Sequence, residues 1–133
     1  MNFLKKLFGF KNNSTSQNSN IVAAKVTKIE KHPNADRLQI VGVFDGQTEI
    51  YPIVCGAFNF KEGDIVALAK PGAQIAHNIH SSEHEPFTLD KATIRGVESQ
   101  GMLCAAFELG KSTEIGEGIM ILNPETKLGG SVV

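Results

Sequence analysis

Residues 38–55 read LQIVGVFDGQTEIYPIVC. Leu38 to Phe44 is a run of apolar and β-branched residues, which predicts a strand with apolar side chains on both faces. Asp45-Gly46 is a tight-turn signal, and Thr48 to Cys55 supplies the return strand of a hairpin. Pro52 interrupts that return strand. A proline has no N–H to give to a ladder, so an edge position or a bulge is expected there.

Outward from this hairpin the pattern stays β. Towards the N-terminus, Val22, Ala24 and Val26 alternate, and the apolar phase then moves to Ile29, which predicts a bulge near Thr27–Lys28. Pro33, Asn34 and Asp36 make a turn between that strand and the hairpin. Towards the C-terminus, Glu62-Gly63 leads into a strand over Ile65–Ala69, and Pro71-Gly72 turns out of it. Residues 74–86 read as a polar loop, Phe87–Ile94 as a further strand, Glu98–Leu109 as mixed turn and short helix, and Gly118–Leu122 as a last short strand. Many short strands with frequent turns and little helix predict a small closed β-barrel. Five principal strands would make it an all-β, five-stranded OB-fold with short helical turns.

The chain has 133 residues, enough for one domain with one core. Its 13 glycines and eight phenylalanines suit strands and turns. The formal net charge of −1 hides an asymmetry. Residues 1–20 carry Lys5, Lys6 and Lys11 against no acid. Residues 21–133 carry eight Lys and two Arg against 14 acids, a balance of −4. Phosphate neutralisation drives general nucleic-acid binding, so this balance argues against tight non-specific binding. Recognition of RNA would need a local basic patch and shape.

The opening MNFLKKLFGFK sets Phe3, Leu4, Leu7, Phe8 and Phe10 beside lysines, without the apolar stretch and cleavage site of a secretory signal. It reads either as a frayed terminus or as an amphipathic docking segment. The NNSTSQNSN that follows cannot bury apolar area, and is expected to be a disordered linker. The domain organisation is thus a flexible basic head and linker over 1–20, then a folded domain over 21–133. No apolar run reaches the ~20 residues of a membrane-spanning helix. Cys55 and Cys104, in apolar surroundings, are expected to be buried thiols of a reducing cytoplasm.

Four phrases carry a resemblance. Lys31-His32-Pro33-Asn34-Ala35-Asp36-Arg37-Leu38 is the first, and Ile53-Val54-Cys55-Gly56-Ala57-Phe58-Asn59 the second. Pro71-Gly72-Ala73 follows, and Ile94 to Cys104 (IRGVESQGMLC) with Glu108-Leu109-Gly110 completes the series. In that order they resemble the tRNA-binding domain family. It includes the N-terminal part of bacterial phenylalanyl-tRNA synthetase β subunits, the C-terminal domain of methionyl-tRNA synthetases, endothelial monocyte-activating polypeptide II and free-standing bacterial tRNA-binding proteins. IVCGA and GMLC look most like the phenylalanyl β-subunit branch. Such a β subunit continues for several more domains, so the resemblance implies a free-standing domain protein or an abbreviated relative. Phe58, Lys70 and Ala106 depart from the family's pattern, standing where it often has a proline, an aliphatic residue and a charged residue respectively.

The resemblance implies tRNA as partner, a synthetase subunit as a second partner, and homodimers with Gly118–Val133 as the contact. Candidate RNA-binding residues are Lys31, Arg37, Asn59, Lys91, Arg95, Ser99 and Met102. Lys31 and Arg37 flank the first turn. Arg95 offers a planar five-donor fork suited to phosphate, or else pairs internally with a carboxylate such as Glu98. Lys91 would share a face with Arg95 on one continuous strand. Asn59 reads as a backbone brace or a contact to a ribose or base edge. The family associates Ser99 and Met102 with its groove, although Met102 also suits a core. Phe58 is either a stacking platform or a packed loop aromatic. Gly96 and Gly101 are expected to bracket a tight crossing. His77, His80 and His84 have spacings a metal could use, but they fall in a polar loop with Pro86 and read better as solvated. Neither a P-loop, a dinucleotide glycine fingerprint, a GxSxG elbow nor a zinc CxxC pair occurs, so no catalytic residue, cofactor or metal is assigned. A protein-interaction module with little RNA affinity is the alternative in a different class.

Overall fold

The computed structural model describes residues 20–116 and 118–132. The expectations for the Phe/Lys head and for most of the linker lie outside these residues. The long strand β1 (Ile21–Lys31) is the spine. Antiparallel to it run β2 (Gln39–Phe44) on one side and β4 (Ile65–Ala69) on the other, while β3 (Glu49–Cys55) pairs with β2. Two short strands extend the sheet past β4: β9 (Met102–Leu103) pairs with Leu68 and Ala69, and β10 (Ile121–Leu122) with Val66 and Ile65. The order is β10-β4-β1-β2-β3 with β9 beside β4, a curled sheet of the OB type.

The expected bulge is present: the β1–β2 register slips between Val26 and Lys28. Pro52 sits on β3, the end strand of the order, opposite a second register slip between Val41 and Val43. Bending at these irregularities lets a flat sheet curl and wrap a core.

All five residues of β4 are buried, and their alternation separates two clusters. Val66 and Leu68 join Val26, Val41, Val43 and Ile53 inside the sheet. Ala67 and Ala69 join Ile21, Ile75, Cys104 and Leu109 on the opposite face. Both cysteines are buried free thiols. Backbone bonds from Gly129 to Ala23 and from Val132 to Ile21 tie the C-terminal segment to β1. Much of the stretch expected to make a dimer contact is therefore engaged within its own domain. Ile121 on β10 stays exposed.

Phe87–Ile94 is not one strand. β6 (Phe87–Thr88) pairs with β5 (Gln74–Ile75), and β7 (Ala92–Ile94) pairs with β8 (Val97–Ser99). Between them Leu89 turns inward: its N–H donates to Ala73 and its carbonyl accepts from Gly72. Two different partners break the run. The Gly118–Leu122 strand is likewise shortened to β10, and the mixed segment holds β8, β9 and a single 3₁₀ turn at Phe107–Leu109.

Asp45 anchors the β2–β3 hairpin. Its Oδ1 accepts from the Gln47 and Thr48 N–H groups, and its Oδ2 from Lys70 Nζ at 2.9 Å. Lys70, a departure from the family pattern, is thus half of an ion pair. The bond from Lys70 and the backbone bond from Thr48 lower the Asp45 pKa from its ordinary 3.8 to about 2. A depressed carboxylate stabilises the fold above its unfolded pKa, and that contribution fades as pH falls towards its folded pKa. Asp45→Asn is therefore expected to cost about 1 kcal/mol near neutral pH. In urea unfolding, the gap to wild type should close as pH falls from about 4 to about 2.

Candidate nucleic-acid interface

Residues 32–38 form a loop closed by the Lys31–Gln39 pair and by the His32 N–H on the Leu38 carbonyl. At its base is a buried histidine. His32, 4% exposed, accepts the Asn34 N–H at Nδ1, and its Nε2 lies 3.0 Å from the Ile94 carbonyl. That pairing requires the tautomer protonated at Nε2. His32 bolts the loop to the β7–β8 hairpin, 62 residues away in sequence. Its place in the KHPNAD phrase was visible, but nothing local marks it as an internal brace.

Asn34 and Arg95 complete the junction reciprocally. Asn34 Nδ2 donates to the Arg95 carbonyl at 3.0 Å, and Arg95 Nη2 donates to the Asn34 carbonyl at 3.1 Å. Asn34 braces across to another segment rather than capping its own turn. Arg95 has φ 53° and Gly96 φ 91°, and Ile94 pairs with Val97, so these two residues are the turn of a two-residue hairpin. A strand-face pairing of Lys91 with Arg95 is therefore ruled out, because Lys91 precedes β7 and Arg95 follows it. An internal Arg95–Glu98 pair is not formed either; Arg95 spends one guanidinium N–H on the Asn34 carbonyl and keeps the rest.

Arg37 and Arg95 line one recess of about 420 Å³ together with Asn34, Asp36 and Leu38. Among the described residues, the ion pairs are Lys28–Glu30, Lys61–Asp64 and Lys70–Asp45. Lys31, Arg37, Lys91 and Arg95 take part in none of these and all are exposed. Lys31 stands at the foot of the loop, and Lys91 is apart from the recess in the β6–β7 connection.

The other candidates divide by depth. Ser99 is 4% exposed; its hydroxyl accepts the Val54 N–H at 2.9 Å and donates to the Gly101 carbonyl at 2.8 Å. With both functions used, it holds β3 to the β8–β9 turn. Ser99→Ala strands a buried N–H, and is expected to destabilise the fold by about 1–3 kcal/mol, read by thermal or urea unfolding. Gly101 has its α-carbon against the Ala69 carbonyl, where a Cβ would come within 2.7 Å. This is the expected tight crossing. Asn59 is a brace: its Nδ2 donates to the Ile119 carbonyl and its Oδ1 accepts the Ile119 N–H, both at 3.0 Å. Phe58 beside it is 60% exposed, so it is not a packed loop aromatic.

Met102 lines a second cavity, an apolar cleft of about 430 Å³ walled also by Leu38, Val54, Ile94, Ile119 and Glu108. Leu38 belongs to both cavities, so the cleft and the two-arginine recess adjoin. Glu108 belongs to the phrase Glu108-Leu109-Gly110, in which nothing local marks it as part of a cleft wall. His77 and His84 pack their rings on Phe107, with centroids 5.1 and 5.2 Å away. Among the described residues no group of three or more His, Cys, Asp or Glu side chains is placed to hold a metal ion. Nor is any helix among them long and apolar enough to cross a membrane.

A curled OB-type sheet with unpaired cations beside an apolar cleft defines a small binding module. Residues 21–131 match the family model described as "Putative tRNA binding domain", and the chain belongs to that family. Among relatives, the phenylalanine–tRNA ligase beta subunit of Chlamydia caviae is 47% identical over 117 residues, 85% of this chain and 14% of that protein. The same subunit of Geobacter sulfurreducens is 48% identical over 109 residues, 82% of this chain and 12% of that protein. The chain thus spans less than one-sixth of the length of these relatives. The MetRS-related protein of Pyrococcus horikoshii has a similar fold, with TM-score 0.61 at 20% identity, covering 95% of this chain and all of that one.

Proposed function

We propose that this chain is a non-catalytic tRNA-binding module, free-standing or accessory to an aminoacyl-tRNA synthetase in the cytoplasm. It holds folded tRNA by shape. Arg37 and Arg95 contact phosphate from their shared recess, Lys31 adds a cation at the foot of the loop, and Lys91 makes a separate contact away from the recess. Met102 faces the ligand from the adjoining cleft, while Ser99 and Asn59 act by fixing the backbone that shapes it. The observation carrying this reading is the reciprocal Asn34–Arg95 junction. It presets two cations from distant segments, so less ordering entropy opposes binding. An overall acidic domain with a local cationic recess fits shape-selective binding rather than general attraction to polyanions.

A second copy of the chain would lengthen the surface, and the exposed Ile121 on end strand β10 is a place where two copies can meet. Filter binding of unfractionated tRNA to the full chain tests the function. Affinity of about micromolar strength that falls steadily with salt is expected; no retention at low salt would overturn the proposal.

A further inference from the structure

Glu108 has a position that the cationic recess does not explain. It lies in the 3₁₀ turn at Phe107–Leu109 and is 6% exposed. Its Oε1 accepts the Ala105 N–H at 2.8 Å. Among the described residues its second oxygen has no hydrogen bond, and no Lys or Arg forms an ion pair with it. Burying a carboxylate costs several kcal/mol unless its lone pairs are satisfied. Burial accordingly pushes its pKa up, while the Ala105 N–H and nearby His80 act the other way. A glutamine would accept the same Ala105 N–H without that cost. A carboxylate at this position offers something more, an acceptor-only group at the wall of an apolar cleft.

The cleft supplies the rest of a recognition site. Leu38, Val54, Ile94, Met102 and Ile119 provide apolar walls around about 430 Å³, room for a flat heterocycle. The two-arginine recess adjoins it through Leu38, and Ile94 on the cleft wall directly precedes Arg95. An apolar slot with an acceptor at its wall and cations at its mouth is complementary to a nucleotide. Among the four RNA bases, guanine presents two adjacent N–H donors, N1–H and N2–H, on its pairing edge; adenine and cytosine present a donor beside an acceptor, and uracil a single donor between two acceptors. We infer that the cleft takes one unstacked guanine nucleotide of RNA, its pairing edge on Glu108 and its phosphate at Arg37 and Arg95. The inference deepens the tRNA-binding proposal and rests on it for the source of the base.

The test is a titration of the ¹⁵N-labelled full chain with guanosine, inosine, adenosine and cytidine 5′-monophosphates, read by backbone amide shifts. Guanosine monophosphate is expected to move the Ala105, Glu108 and Ile119 amides. Inosine monophosphate, lacking the N2 donor, should bind roughly tenfold more weakly, in keeping with the loss of one hydrogen bond to a charged group. Glu108→Gln keeps an acceptor for Ala105 and should abolish the guanosine-over-inosine preference while leaving the rest of the amide spectrum in place. Equal response to all four nucleotides, preference for adenosine or cytidine, or silence of the cleft amides would each overturn the site. The wild-type comparison of guanosine with inosine decides the matter even if the variant does not fold. Retention of tRNA without any cleft response removes the guanine site alone. A guanosine-selective cleft without tRNA retention removes the tRNA proposal and leaves the site.

Discussion

Arg95→Ala is expected to weaken tRNA binding roughly tenfold, the effect of about 1.5 kcal/mol for one hydrogen bond to a charged partner. It should also lower the slope of log affinity against log salt by about one unit, because one fewer phosphate is neutralised. The geometry makes Arg95 the most sensitive cation. It sits at the corner of a two-residue hairpin, and one guanidinium N–H is anchored on the Asn34 carbonyl. Its remaining donors are therefore held in a preset position, where the proposed binding mode would set a phosphate. Arg37→Ala should act similarly from the same recess, and Lys31→Ala more weakly, since Lys31 does not line it. Lys61 serves as control: it is paired with Asp64 in the turn before β4, and Lys61→Ala should leave affinity and slope unchanged. Filter binding over a salt series measures all four. An unchanged slope for Arg95→Ala would remove this residue from the phosphate contacts.

Leu68→Ala is expected to be the most damaging single truncation, costing about 2–5 kcal/mol. Leu68 is fully buried on β4, in one cluster with Val26, Val41, Val43 and Ile53. Because β4 is pinned by β1 on one side and by β9 and β10 on the other, the backbone has little freedom to close the resulting cavity. Small domains have only about 5–15 kcal/mol in total, so this is a large share of their stability. Urea unfolding of wild type and variant gives the difference; a loss below about 1 kcal/mol would mean that the Leu68 side chain is not central to the core. The Arg95 and Leu68 substitutions act in different proportions: the first should change binding with only the small loss of stability due to its one bond to the exposed Asn34 carbonyl, and the second should change stability before binding.

The strands most legible in the residues were those whose pattern is local. Alternation in Val22–Val26 with its slip at Thr27, the Asp45-Gly46 turn and the solitary Pro52 all correspond to features of β1, β2 and β3. Backbone sterics and hydrogen-bonding needs act within a few residues, so such signals survive in the linear chain. Phe87–Ile94 failed for a complementary reason. Strand formers stand at its two ends, Phe87-Thr88 and Thr93-Ile94, and Asp90-Lys91 between them disfavours a continuous strand, but that β6 and β7 pair with different strands is decided only by the fold.

The order of the family phrases pointed to the kind of domain this is, and the match over residues 21–131 bears it out; several of those residues encode turns and close backbone approaches, such as the Arg95-Gly96 turn and the Gly101 crossing. Which side chains stand together was settled by the tertiary structure. Arg37 and Arg95 are 58 positions apart, and meet because His32 and Asn34 hydrogen-bond to the carbonyls of Ile94 and Arg95. Ser99 and Asn59, chemically indistinguishable from ligand contacts in a linear reading, turn inward to backbone groups left unpaired by the strands beside them. A hydroxyl, an amide or a carboxylate acquires its role from the groups that reach it. Those groups arrive from distant parts of the chain only when the sheet curls.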